Sequence, residues 1–333
     1  MTVFVTGATG FVGANLVREL LKDGAAVRAL VRPGTPRTTI EGLDVEAVPG
    51  DLQDRDSLRH ALRGCQVLYH VAARYSLSSK DATEMHRSNV EGTRNILEVA
   101  REVAVERVVY TSTVGALGIP KNGLSGTEDT PVTLAEMVGP YKQSKFLAER
   151  EAERIGNQGL PVVIVNPSAP VGPWDVKPTP TGRMIVDYLK RQMFGYIHTG
   201  LNLVHVRDVA RGHILAAQKG RVGEKYILGN QNLTLREIFT LLEQISGVPA
   251  PRWRIPYPVA FVAACASELS ARLSRQEAQV PLTGVRMARK IMFFDPSKAI
   301  RELQLPQTPV QEALREAVEW YWAHEYAPRK GEA

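Results

Sequence analysis

Cysteine is scarce: Cys65 and Cys265 are the only two in 333 residues, and they form no CxxC pair. No disulfide framework is available to such a chain, and a reducing, cytoplasmic compartment is expected. The opening "MTVFVTGATG" has neither a basic leader nor a cleavage site and begins directly on a strand-like run, so no signal peptide is expected. The Asn232-Leu233-Thr234 sequon then carries no meaning. Long apolar runs are missing as well. The longest lies within "YPVAFVAACA", residues 257–266, far short of a bilayer span. It reads as a buried helix face, with contact at a membrane surface as the alternative, and stable membrane insertion is not expected. The seven histidines make no HExxH and no His/Cys cluster, so no metal site is expected. No GxSxG occurs, which argues against a serine-hydrolase elbow. The net charge of +6 comes with scattered arginines, not with a dense basic stripe interleaved with aromatics. That argues against nucleic acid as a partner and leaves a solvated surface that can favour anionic ligands.

What is present is an ordinary globular balance, 44% hydrophobic and 23% charged, in a chain longer than one compact core usually holds. Strand-like apolar runs at 2–7, 26–31, 45–50, 66–73, 106–112 and 161–166 alternate with helical patterns at 11–22, 55–62, 82–103 and from Pro140 onward. Strands apolar on both faces, separated by helices, predict an α/β fold with a Rossmann-type, doubly wound parallel sheet. After residue 167 the texture changes. "NPSAPVGPWDVKPTPTGR" is dense in proline and predicts an ordered but irregular loop. Shorter elements follow: strands at 202–206 and 225–229, and helices from Asp208 and near 234–245, 257–272 and 310–325. The expected organisation is a dinucleotide domain over 1–166, with parts of 200–230 returning to it, and a smaller C-terminal α/β substrate lobe over 167–330.

"VTGATGFVG" sets Gly7, Gly10, Phe11, Val12 and Gly13 directly between the first strand and the first helix. Gly7 permits a tight turn, Gly10 lets backbone approach a phosphate, and Gly13 lets helix and strand pack closely. The helix N-terminus then offers free N–H groups to an anion, as at a dinucleotide pyrophosphate. The second strand ends "ALVRPG", with Arg32 where an NAD site usually carries an acid, and with Arg37 nearby. A guanidinium suits a 2′-phosphate, so NADP is the preferred cofactor and NAD the alternative. The other reading of Arg32 is a solvated loop residue.

Tyr141 and Lys145 stand four apart and so share one helix face. A nearby ammonium favours phenolate, so Lys145 is expected to lower the Tyr141 pKa towards neutrality and make it an acid/base. Pro140 fits the first helical turn. Spacing alone is weak, because Tyr326 and Lys330 repeat it in the polar C-terminal tail. Only Tyr141 follows a hydroxyl-rich strand end, "VYTSTVGALG", which supplies Thr111, Ser112 and Thr113. A hydroxyl there can stabilise a developing oxyanion.

The GxxGxxG spacing after Thr6 resembles the extended short-chain dehydrogenase/reductase superfamily. With "NVEGTRN", "YKQSKFLAE", "LPVVIVNPSAPVGPWDVKPTPTGR", "TGLNLVHVRDVARGH" and "GVRMARKIMFF", the chain over roughly 1–325 resembles hopanoid-associated sugar epimerases and dihydroflavonol 4-reductases. The resemblance implies that Asp51 and Leu52 meet the adenine and that Ala72 and Ala73 let the cofactor lie close. Thr111, Tyr141 and Lys145 would also touch the cofactor, and Pro167 and Ser168 would pack near the nicotinamide. It places the active hydroxyl on Thr113, where serine is commoner, with Ser112 as the competitor. Asn89 also matches, with a structural tie inside a long helix as its other reading. A polar small molecule, a carbonyl compound or sugar derivative, is implied as substrate. Lys177 and Arg183 would face an anionic group of it, and Tyr75 and His205 would line its pocket. For these four a surface or packing role is equally open, and for His205 this would be a strand-end residue before a helix capped by Asp208. Three functions stay open: a reductase consuming NADPH, a sugar epimerase with no net redox change, and a non-catalytic dinucleotide sensor. A monomer or a homodimer is expected.

Overall fold

The computed structural model describes residues 1–76, 81–120, 123–274 and 282–329. In chain order the first half runs β1 (Thr2–Thr6), α1 (Phe11–Lys22), β2 (Ala26–Val31), β3 (Val45–Pro49), α2 (Arg55–Leu62), β4 (Val67–His70), α3 (Ala82–His86), α4 (Gly92–Glu102), β5 (Arg107–Thr111), α5 (Gly139–Gly156) and β6 (Val162–Pro167). The remainder runs β7 (Ala169–Val171), α6 (Pro180–Leu189), β8 (Gly195–Ile197), β9 (Gly200–His205), α7 (Val206–Lys219), β10 (Lys225–Leu228), β11 (Gln231–Thr234), α8 (Leu235–Ser246), β12 (Trp253–Ile255), α9 (Tyr257–Ser274), α10 (Leu282–Ala288), α11 (Ser297–Leu303) and α12 (Val310–Ala323).

Seven strands form one parallel sheet in the order β10-β6-β5-β4-β1-β2-β3. The order reverses between β1 and β4, and in open α/β sheets a ligand crevice opens at such a reversal, outside the carboxyl ends of the strands. Buried Val3 and Val5 pack with Leu16 and Leu20 of α1 and Val209 of α7 on one face. Phe4, Leu68 and Val108 pack with Leu58, Leu97 and Ala152 of α2, α4 and α5 on the other. The doubly wound arrangement follows from strands that are apolar in both directions.

Beyond β6 the chain builds a three-stranded sheet, β11-β9-β7, and a two-stranded one, β12-β8. The core under them joins α6, α8 and α12 through Ile185, Phe239, Leu242, Leu314 and Val318. Then β10 returns to the main sheet beside β6, and α7 lies against α1. The proline-rich stretch is more regular than an irregular loop. Pro170 sits in the edge strand β7, where one row of backbone donors is not needed, and Pro180 opens α6 behind a Thr179 cap that accepts from Gly182 N. The expected helix over 82–103 is broken by a π turn at Arg87–Glu91. The helix expected from Asp208 begins two residues earlier. No helix among the described residues is long and apolar enough to cross a membrane.

Candidate active site

Gly7 has φ +72°, and a Cβ there would stand 2.7 Å from the Ala72 amide nitrogen. A Cβ on Gly13 would overlap the Gly7 carbonyl oxygen. Both positions therefore hold backbone against backbone and admit no side chain. Gly10 caps α1 with extended backbone and no side-chain cap bond, no side chain among the described residues accepts from the first N–H groups, and no acid stands in the first turn. Phe11 and Val12 open the helix. A bare, positive helix end beside a cradle that a Cβ would fill fits the pyrophosphate of a dinucleotide.

A chain of buried polar groups sets the strands below this loop. Thr6 Oγ1 meets His70 Nδ1 at 2.7 Å and accepts from Ala72 N at 3.2 Å, and His70 Nε2 meets Thr93 Oγ1 at 3.0 Å. Burial, with help from the Lys145 charge, holds the His70 pKa down at about 3, so the ring stays neutral. The network ties Ala72 to the end of β1, just before the glycine turn. Sequence reasoning used "HVAA" only for its alanines; the buried histidine before them was the missed signal.

At the end of β2, Arg32 and Arg37 are exposed, and the Arg32 side chain makes no ion pair or hydrogen bond among the described residues. After β3, Asp51 accepts from Gln53 N at 2.9 Å, and Leu52 packs against Gly92, where a Cβ would stand 3.0 Å from its own.

The π turn carries Asn89. Its amide accepts from Arg74 N at 2.7 Å and donates to Arg74 O and to Ser144 Oγ, each at 2.9 Å. Ser144 in turn donates to Tyr141 O at 2.8 Å. Asn89 is thus the structural tie of the two readings, joining the loop after β4 to the first turn of α5. Extra residues in a helix turn recur where a side chain must be re-aimed.

Tyr141 lies in that first turn, half-buried, edge-on to the ring of Tyr75 at 4.6 Å between centroids. Burial pushes its phenol up to about 12. Lys145 is 3% exposed; its Nζ donates to Thr111 O at 2.6 Å and to Tyr110 OH at 3.3 Å. Burial lowers its pKa to about 8, opposed by the Glu149 carboxylate. The expectation that Lys145 draws the Tyr141 pKa towards neutrality is corrected here. The ammonium is spent on Thr111 and Tyr110, so desolvation of the phenol prevails. One turn on, buried Glu149 accepts from Lys225 Nζ at 2.6 Å and Asn166 Nδ2 at 2.9 Å, and Asn166 Nδ2 also reaches Thr113 O at 3.2 Å. This second carboxylate network fixes α5 on β6 and β10, and had no motif to announce it.

Thr113 heads a short 3₁₀ turn, Val114–Ala116, and its hydroxyl oxygen accepts from Gly115 N at 3.1 Å. Its O–H remains able to donate. The Ser112 and Ser168 hydroxyls are buried without a hydrogen-bond partner among the described residues, beside buried Pro167, at the carboxyl ends of β5 and β6. Orphaned polar atoms at that edge suit a polar ligand. Lys142, next to Tyr141, has Met292 Sδ 3.7 Å from its Nζ, and burial, with the like charge of Lys290, lowers its pKa to about 8.

The remaining substrate expectations divide. Tyr75 joins Tyr141. Lys177 and Arg183 are exposed, before and on α6, and no contact joins them to Tyr141 among the described residues. His205 is fully buried and is no pocket wall. Its Nδ1 accepts from Arg207 N at 2.9 Å, capping α7, and its Nε2 lies 3.1 Å from Glu316 Oε2. Asp208 does not cap; it accepts from Thr308 N and Oγ1. In the second Tyr/Lys repeat, Tyr326 donates to Val176 O at 2.6 Å, and Lys330 lies outside the described residues. No group of three or more His, Cys, Asp or Glu side chains is placed to hold a metal ion among the described residues.

Comparison with known proteins agrees with this geometry. The NAD dependent epimerase/dehydratase family matches residues 3–229. A putative dihydroflavonol 4-reductase from Synechocystis sp. is 48% identical over 97% of this chain and 95% of its own. The sterol demethylase protein B of Methylococcus capsulatus is 38% identical over 96% and 98%. The crystal structure of gox2253 superposes with a TM-score of 0.88 at 44% identity, covering 98% of this chain and 99% of that one.

Proposed function

The chain belongs to the NAD dependent epimerase/dehydratase family, and on that premise we propose that it is an NADP-preferring reductase of a carbonyl group. The observation that carries the reading is the first turn of α5: a half-buried Tyr141 phenol one turn from a buried Lys145 ammonium, at the sheet edge that also holds the bare α1 terminus. When bound, the nicotinamide ring supplies the hydride. Tyr141 gives its proton to the substrate oxygen. A phenol held near 12 rests in the donor form at neutral pH, which is the form reduction requires. Lys145, held on Thr111 O and Tyr110 OH, ties α5 to the end of β5 and so keeps the Tyr141 turn in place. The free O–H of Thr113 donates to the same substrate oxygen, and Asn89 keeps the Tyr141 turn in register. Arg32, exposed just after β2 and unpaired among the described residues, would pair with the 2′-phosphate.

NADPH absorbance followed with a panel of ketones and aldehydes tests the reading. Stoichiometric loss of NADPH supports it, and Tyr141→Phe should slow turnover about 10³-fold while leaving dinucleotide binding intact. Conversion of a sugar derivative with no net absorbance change would make the protein an epimerase using the same residues. Dinucleotide binding without any conversion would make it a sensor.

A further inference from the structure

From Tyr257 to Ser267, α9 carries no charged residue. Its inner face, Ala260, Phe261 and Ala264, packs on Ile197, Ile255 and Val285. A surface helix ordinarily sets polar groups on the opposite face. Here Val259 is 58% and Val262 67% exposed, with exposed Pro258, Ala263 and Ala266 between and beside them. Next to the helix, Trp253 is 76% exposed, and it pairs with Gly195, which puts Phe194, 79% exposed, one residue away.

The rim of this apolar face is basic. Arg252 and Arg254 flank Trp253, exposed. Arg289 stands over the Tyr257 ring at 5.8 Å, and exposed Lys290 follows it. None of the four enters an ion pair among the described residues, and Glu268, the first acid of α9, turns its carboxylate to Leu282 N at 3.3 Å.

We propose that α9 and β12 dock on the surface of an anionic lipid bilayer. Aliphatic residues seat at the acyl boundary, the tryptophan at the interface, and the arginines on lipid phosphates. A second copy of the chain would bring one basic rim against another, so the charge favours an anionic partner over self-association. The surface also adjoins the candidate active site. A Cβ on Gly139, two residues before Tyr141, would stand 2.7 Å from Thr283 Cγ2 of α10, and α10 packs on α9. Resting on the reductase reading, docking in this way would hold the Tyr141 site close to the bilayer.

Cosedimentation of the full chain with vesicles tests the docking without reference to turnover. The protein should bind vesicles of phosphatidylcholine and phosphatidylglycerol in equal parts, release in high salt, and ignore phosphatidylcholine alone. Arg252→Ala with Arg254→Ala should weaken partition about 25-fold, at about fivefold per charge. Val259→Glu with Val262→Glu should abolish it. Trp253→Ala, at a side chain with little packing to lose, gives the same direction should the glutamate pair misfold. Absence of binding at low salt overturns the proposal, as does binding indifferent to these substitutions. A lipid-free dimer that Val262→Glu dissociates would also overturn it, since the face would then belong to the chain itself.

Discussion

Replacing Lys145 with methionine removes a buried ammonium and keeps much of its volume. Burial moves that amine from 10.5 to about 8, a displacement of about 3 kcal/mol at roughly 1.4 per unit. The sign follows from proton binding. The unfolded chain holds the proton more tightly than the folded one, so folding is penalised at every pH below about 8. The penalty fades as pH climbs from about 8 to the unfolded value. Against this stand the hydrogen bonds to Thr111 O and Tyr110 OH, together about 1–2 kcal/mol. At pH 7 the variant should therefore be more stable than the parent by about 1–2 kcal/mol, while losing turnover. Near pH 10.5 the order should invert, because the parent then keeps its hydrogen bonds at no charge penalty. Thermal unfolding of both proteins across this range reads the difference, at about 2 °C per kcal/mol. A melting difference that stays constant with pH would refute the reasoning.

Thr113→Val should lower kcat about 10²-fold, and Ser112→Ala much less; the reverse order would reassign the donor hydroxyl to the unpartnered serine. Arg32→Ala should weaken NADPH about tenfold and leave NADH nearly unchanged, measured by direct fluorescence titration of each dinucleotide. Gly13→Ala drives a methyl into the Gly7 carbonyl, and should lose dinucleotide binding together with several degrees of melting temperature in the same preparation.

Much of the fold was legible because its signals are local. Apolar runs bounded by glycine give the strands, and a glycine triplet after the first of them gives the tight turn into α1. Tyr141 and Lys145 share a helix face by arithmetic. The failures are of another kind. Which partner a buried ammonium chooses depends on a carbonyl 34 residues away at Thr111, which no spacing rule contains. His205 matches a pocket position by resemblance, yet its Nδ1 caps α7 on Arg207 N while Glu316, brought by α12, takes its Nε2. The proline-dense stretch hid β7 and α6, because proline is harmless at an edge strand and at a helix start, and only topology says which of these it occupies. The apolar run at 257–266 was read as a buried face, and α9 buries only one side of it.

The placement of β10 bears on the order in which the molecule can be made. Its partner β6 ends at Pro167, but β10 itself spans Lys225–Leu228. While the intervening segment emerges from the ribosome, β6 is a strand with four consecutive apolar residues, Val162 to Val165, and an open edge, the kind of surface that pairs with the wrong chain. The seven-stranded sheet therefore closes only after part of the chain beyond β6 has been synthesised. A fragment cut after residue 167 should aggregate, whereas one that runs through Gly229 carries the missing strand.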